Sequence, residues 1–139
     1  MDIVHTAGLE GCKPCKFSFP KGIRLSTDEG EVLTDPETYR SIIGRLLYLN
    51  LTRPDISYFV QQLSQFMACP RKPHLQAAFH VIKYLAGTIN WGLFYQADSD
   101  TSLSAYFDAD WGTCAFSGRS LTRYCVFLGK NLVSWKTKK

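Results

Sequence analysis

Several groups of side chains in this chain have types and spacings that can do chemistry. Asp108-Ala109-Asp110-Trp111 is an acidic cluster in a run of alternating polarity. Strict alternation puts Asp108 and Asp110 on one face of a strand. A carboxylate there can ligate a divalent cation where other acids converge on it, as two-metal phosphoryl transfer on nucleic acid requires. The same Asp-x-Asp at a strand end is also an ordinary turn former. Cys12-Lys13-Pro14-Cys15 has C-x-x-C spacing. A zinc site needs a second pair, or two His at finger spacing. His74, His80 and Cys69 do not supply that pattern, and both histidines read as surface or helix-flank residues. A redox pair needs a strand before it and a helix after it. Phe17 to Gly22 is extended or turning instead, so the pair reads as coincidental. At the other end, Lys136, Lys138 and Lys139 stand beside Trp135, either as a basic contact for nucleic acid or as a solvated tail.

Composition bounds what can position these residues. The chain has 139 residues, 45% hydrophobic and 20% charged, which excludes disorder and allows one ordinary domain or a small one plus part of another. No run approaches the ~20 apolar residues of a membrane span. The N-terminus MDIVHTAGLE has neither a basic flank nor a long apolar core, so no secretory signal is expected and the protein reads as intracellular. Five Cys, an odd and irregularly spaced set, argue against a secreted disulfide framework. Residues 1–70 carry seven Lys/Arg and eight Asp/Glu, whereas residues 71–139 carry nine and four, so the positive charge lies in the second half.

The pattern of elements is α+β. Residues 1–34 read as an irregular linker, because Gly and Pro interrupt every apolar period. Thr34-Asp35-Pro36-Glu37 is a complete helix start. Tyr39, Ile42, Ile43, Leu46, Leu47 and Leu49 follow it at helical spacing. Gly44 inside this helix suggests close approach of another backbone. Thr52 and Asp55 read as a capping box for a second helix carrying Ile56, Phe59, Val60, Leu63, Phe66 and Met67. A third begins near Pro73, carries Leu75, Ala78, Phe79, Ile82 and Leu85, and stops at Gly87. Short connections predict a three-helix bundle around one core. The period then becomes two, with strands expected at Trp91–Tyr95, around Leu103–Asp108, at Thr122–Leu128 and from Leu132. So small a meander, ending in a basic stretch with nothing to cover it, reads as a domain cut short.

Particular words in the sequence carry a resemblance. They are Tyr39-Arg40-Ser41-Ile42-Ile43-Gly44-Arg45-Leu46-Leu47-Tyr48-Leu49, Leu51-Thr52-Arg53-Pro54-Asp55-Ile56 and Lys83-Tyr84-Leu85-Ala86-Gly87-Thr88. Phe107-Asp108-Ala109-Asp110-Trp111, Tyr124-Cys125-Val126-Phe127-Leu128-Gly129 and Leu132-Val133-Ser134-Trp135-Lys136-Thr137-Lys138-Lys139 follow in order. The chain resembles the C-terminal part of the Pol polyprotein of copia-type long-terminal-repeat retrotransposons, including short reading frames of that origin in plant genomes. The resemblance covers nearly the whole chain.

It implies a junction. Residues 35–88 resemble the helical thumb and connection of a reverse transcriptase, and residues 89–139 the N-terminal part of a ribonuclease H-like domain with an incomplete antiparallel sheet. The polymerase carboxylates belong upstream, and no Tyr-x-Asp-Asp occurs here. Asp108 matches the first catalytic, metal-ligating carboxylate of the ribonuclease H family, which works with Mg²⁺. Its partner acids are expected after Lys139, so Asp108 is expected to be vestigial, with no cofactor in the isolated chain and no catalysis of its own. The alternatives are a nucleic-acid-binding module using the basic C-terminal half and a fragment of a live RNA-directed DNA polymerase/ribonuclease H completed by flanking sequence. RNA/DNA hybrid or other nucleic acid, held weakly through Arg119, Lys136, Lys138 and Lys139, is the expected partner; neither a membrane nor a small-molecule substrate is. Between Trp111 and Tyr124 the chain departs from the family pattern. Arg119 and Ser120 are retained, but Arg123 stands where that pattern has Gly before Tyr124.

Overall fold

The computed structural model describes residues 2–19, 25–110 and 121–138. Arg119, Lys139 and the expected loop at 112–118 therefore lie outside the described residues, as does the side chain of Asp110. The chain divides into two units, Met1–Trp91 and Gly92–Lys139.

The first unit is helical. Asp35 caps α2 (Pro36–Leu49) by accepting from the Glu37 N–H at 3.0 Å, and the Thr38 hydroxyl donates to the same carboxylate. Its apolar stripe buries Tyr39, Ile42, Ile43 and Leu46 completely. A 3₁₀ turn at Pro54–Ile56 leads into α3 (Ser57–Ser64), which adds Val60 and Leu63 to the core. The Tyr39 hydroxyl donates to the Leu63 carbonyl at 2.7 Å, so the one polar atom of this buried ring is satisfied. α4 (Lys72–Gly87) closes the core with Ala77, Ala78, Val81, Ile82 and Leu85. On α2 the stripe is the expected one, whereas on α4 Ala78, Ile82 and Leu85 are buried as expected but Ala77 and Val81 take the places expected of Leu75 and Phe79, which are only partly buried, and α3 ends before Phe66 and Met67.

Two local expectations fail. Thr52 does not cap: its hydroxyl donates to the Leu49 carbonyl, and Asp55 is engaged elsewhere. Gly44 does not admit a neighbouring backbone, since a Cβ built there meets nothing within 4 Å. A helix-interior glycine in open space only loosens the unfolded chain. Gly44→Ala is therefore expected to stabilise the protein by about 1 kcal/mol, read as a higher urea midpoint. A neutral or lower midpoint would mean that the space is filled.

The described residues ahead of Asp35, irregular in sequence and expected to be a linker, make contacts with the bundle. A short helix, α1 (Asp2–Thr6), puts Ile3 into the core, and Phe19 stacks on Phe59 with ring centroids 4.6 Å apart. Further on, the Leu33 N–H donates to the Pro70 carbonyl at 3.0 Å and the Lys72 N–H to the Glu31 carbonyl at 2.9 Å. The Arg71 guanidinium donates to the carbonyls of Thr27 and Gly30, binding this loop to the start of α4.

The second unit is an antiparallel meander of β1 (Leu103–Asp110), β2 (Leu121–Leu128) and β3 (Asn131–Lys138), in that order. Gly129 and Lys130 form the two-residue turn between β2 and β3. Gly129 has φ +57°, as the first central position of a hairpin turn of this kind requires. The β2–β3 register shifts between Val126 and Phe127. The mixed α+β composition agrees with the sequence. The strand expected at Trp91–Tyr95 is absent: the segment is exposed, and no strand among the described residues pairs with it. Trp91 instead sets its ring edge-on to Tyr84 at the end of α4, 6.5 Å between centroids. A backbone with no ladder partner gains nothing from extension.

Candidate functional site

β1 carries Asp108 directly opposite Arg123 of β2. Arg123 Nη2 donates to Asp108 Oδ2 at 2.7 Å, with the aspartate side chain 65% exposed. A surface pair of this kind contributes only about 0–1 kcal/mol. The guanidinium takes one oxygen, Oδ2, of the carboxylate that a divalent cation would use. Among the described residues, no three His, Cys, Asp or Glu side chains group so as to hold a metal. The one acidic side chain described on β1 is Asp108, and it is bonded to Arg123.

Lys136 and Lys138 are exposed on β3, and the register places them on one face of the sheet. Lys136 lies opposite Tyr124, which lies opposite Phe107, the latter 85% exposed. Trp135, expected beside the lysines, belongs to the opposite face and sits across from Cys125, because neighbouring strand residues alternate. The aromatic companions of the lysines are thus Tyr124 and Phe107, which lie far from them in sequence.

The densest polar arrangement lies in the helical unit, among residues to which the sequence reading gave no chemical role. Arg53, its side chain only 10% exposed, holds Asp55 through two bonds, Nε to Oδ1 at 2.9 Å and Nη2 to Oδ2 at 2.7 Å. The same guanidinium donates to the Thr88 carbonyl at 3.1 Å and to its hydroxyl at 2.7 Å. The Tyr84 hydroxyl donates to Asp55 Oδ2 at 2.8 Å. The Thr88 hydroxyl donates in turn to the Tyr84 carbonyl at 2.9 Å. Burial pushes the Asp55 carboxyl up, but the bonds from Arg53 and Tyr84 outweigh it and hold the group below the usual carboxylate value. Tyr84 moves the other way, raised by burial and then by its bond to Asp55. Every polar atom here serves the junction between the Pro54 turn and the C-terminus of α4, so the arrangement closes a fold. The available signal was that Arg53 and Asp55 belong to one quoted word, and Tyr84 and Thr88 to another.

The histidines also depart from expectation. His74 is fully buried and stacks on Phe66, centroids 3.9 Å apart. Its Nδ1 accepts from the Arg71 N–H at 3.0 Å, and its Nε2 meets the Ser26 carbonyl at 2.8 Å. A carbonyl only accepts, so Nε2 carries the proton and the ring is neutral. Desolvation lowers the His74 pKa accordingly. His80 is half-buried against the N-terminal segment. Imidazole suits both places because it offers a donor and an acceptor at once.

No helix among the described residues is long and apolar enough to cross a membrane. No family model matches the chain, and no solved structure matches it. Curated proteins do. The chain is 43% identical over 139 residues to the retrovirus-related Pol polyprotein from transposon RE1 of Arabidopsis thaliana, covering 100% of this chain and 10% of that one. It is 35% identical over 145 residues to the corresponding polyprotein from transposon TNT 1-94 of Nicotiana tabacum, covering 98% and 11%. An uncharacterized mitochondrial protein of Arabidopsis thaliana is 39% identical over 137 residues, covering 99% and 57%. The chain thus spans about a tenth of the polyproteins it matches and over half of the mitochondrial protein. Likeness along its full length, at 35–43% identity, to transposon polyproteins from two plants shows that this chain belongs to the Pol polyprotein family of copia-type retrotransposons.

Proposed function

We propose that the chain is a segment of such a polyprotein that performs no catalysis by itself. In this reading residues 35–88 correspond to a reverse transcriptase thumb and connection, and residues 89–139 to the first part of a ribonuclease H-like domain. The observation that carries the proposal is the Asp108–Arg123 pair. The carboxylate on which the resemblance places metal chemistry is tied to an arginine where the family pattern has glycine. The isolated chain, incubated with an RNA–DNA hybrid and magnesium or manganese, is expected to leave the RNA strand intact. Cleavage that Asp108→Asn abolishes would overturn this reading and favour a fragment of a live enzyme.

A second reading is favoured by the row formed by Phe107, Tyr124 and Lys136 across the sheet. Exposed aromatic rings next to lysines suit stacking on bases and neutralising phosphates. In this reading the sheet face holds nucleic acid without cutting it. Gel-shift titration of the chain on an RNA–DNA hybrid is expected to show binding that weakens between low and moderate salt and that Lys136→Ala reduces. Binding indifferent to salt, or none at micromolar protein, excludes it.

A further inference from the structure

The C-x-x-C segment, coincidental as sequence, is docked on α4. A Cβ built at Gly87 would lie 2.7 Å from Pro14 Cβ, so Pro14 occupies space that only glycine leaves. The Cys15 N–H donates to the Lys83 carbonyl at 3.4 Å. His80 stands less than one turn before Lys83 on α4. Its Nε2 meets the Phe17 carbonyl at 3.0 Å and must donate to it, which leaves the Nδ1 lone pair directed at Cys15 Sγ, 3.7 Å away. A thiol, a base within hydrogen-bond reach and a group fixing the tautomer of that base together make an activated nucleophile.

We propose that Cys15 is a reactive thiol for peroxides and soft electrophiles, with His80 as its base and Cys12 as its resolving partner. Cys15 sulfur attacks one oxygen of a hydroperoxide and the O–O bond breaks. The thiol proton passes through His80 Nδ1 to the departing oxygen, leaving a sulfenic acid and, from hydrogen peroxide, one water. Cys12 sulfur then attacks Cys15 sulfur, the S–OH bond breaks, and a second water leaves as the disulfide forms. The dithiol loses two electrons and the peroxide gains them.

The test is limiting iodoacetamide on the full chain at fixed pH, with peptide mapping of each cysteine, alongside hydrogen peroxide treatment. Cys15 is half-buried and Cys69 exposed, so accessibility alone ranks Cys69 first. The proposal expects the reverse, with Cys15 at least about tenfold faster. It also expects His80→Asn to remove that advantage while the Cys69 rate stays unchanged. Peroxide should give a Cys12–Cys15 disulfide, and Cys12→Ser should halt oxidation at a dimedone-trappable sulfenic acid. Faster labelling of Cys69, an unchanged Cys15 rate in His80→Asn, or no Cys12–Cys15 disulfide each overturns the proposal. If His80→Asn loses its helical circular dichroism, the wild-type ranking of the two thiols decides alone.

Discussion

Asp55→Asn is expected to lower the stability of the protein by about 3 kcal/mol, because it leaves the Arg53 guanidinium buried without a counter-charge. The geometry explains why the loss cannot relax away. Arg53 is anchored at its other edge by the Thr88 carbonyl and hydroxyl, so it cannot swing to solvent without breaking both bonds. The amide that replaces the carboxylate also turns an N–H₂ toward one of its former donors, either Arg53 or Tyr84. Urea unfolding followed by helical circular dichroism should show a lower midpoint at an unchanged slope. Tyr84→Phe removes one bond to the same carboxylate and should lose about 1 kcal/mol. A loss below that for Asp55→Asn would mean that the carboxylate is solvated and the guanidinium already screened.

The second large effect is a sensitivity to mild acid centred on His74. Its pKa is depressed from an ordinary value near 6.5, first by desolvation and then by the charge of Arg71, against an opposing bond to Ser26. Because the folded ring binds its proton less readily than the unfolded one, stability is fully present above 6.5 and declines as pH falls through the depressed value. The molecular event is plain. A proton on Nδ1 sets an N–H against the Arg71 N–H, breaking the cap of α4 and placing a charge beside Phe66. His74→Phe keeps a ring in the stack but orphans the Arg71 N–H and the Ser26 carbonyl. The expected loss is about 2–3 kcal/mol at neutral pH, with the acid slope that begins below pH 6.5 removed. Thermal melts at three pH values check both statements, and an acid slope that survives in His74→Phe would assign it to another group. Asp55 adds a pH dependence of its own only below the ordinary 3.8: its stabilisation is fully present above that value and is lost as pH falls through the lower, folded one.

The helices were legible because burial needs a stripe, and a stripe leaves a period: Tyr39, Ile42, Ile43 and Leu46 are read directly from their spacing. The start of α2 was legible because Asp35 and Pro36 act on neighbours two or three residues away. What failed was decided at long range. Thr52 and Asp55 have capping-box spacing, yet Asp55 is taken by Arg53 and Tyr84, the latter 29 residues on. His74 shows no sequence sign of burial, because both of its partners are backbone groups and one of them is 48 residues away. The Trp91–Tyr95 strand followed the right composition but had no ladder to join. For Asp108 the motif was visible and the guanidinium facing it was not, since hairpin register decides which residue lies opposite.

The bond network that joins Arg53 and Asp55 to Tyr84 and Thr88 bears on how reading frames of this origin are counted in genomes. Two of the words that carry the resemblance meet at one joint, where their polar side chains bond one another. A translated frame that keeps both words therefore keeps the bonds that close this joint of the bundle. Surveys that score such frames by these words measure surviving architecture, and the inventory of active elements must be taken from other residues.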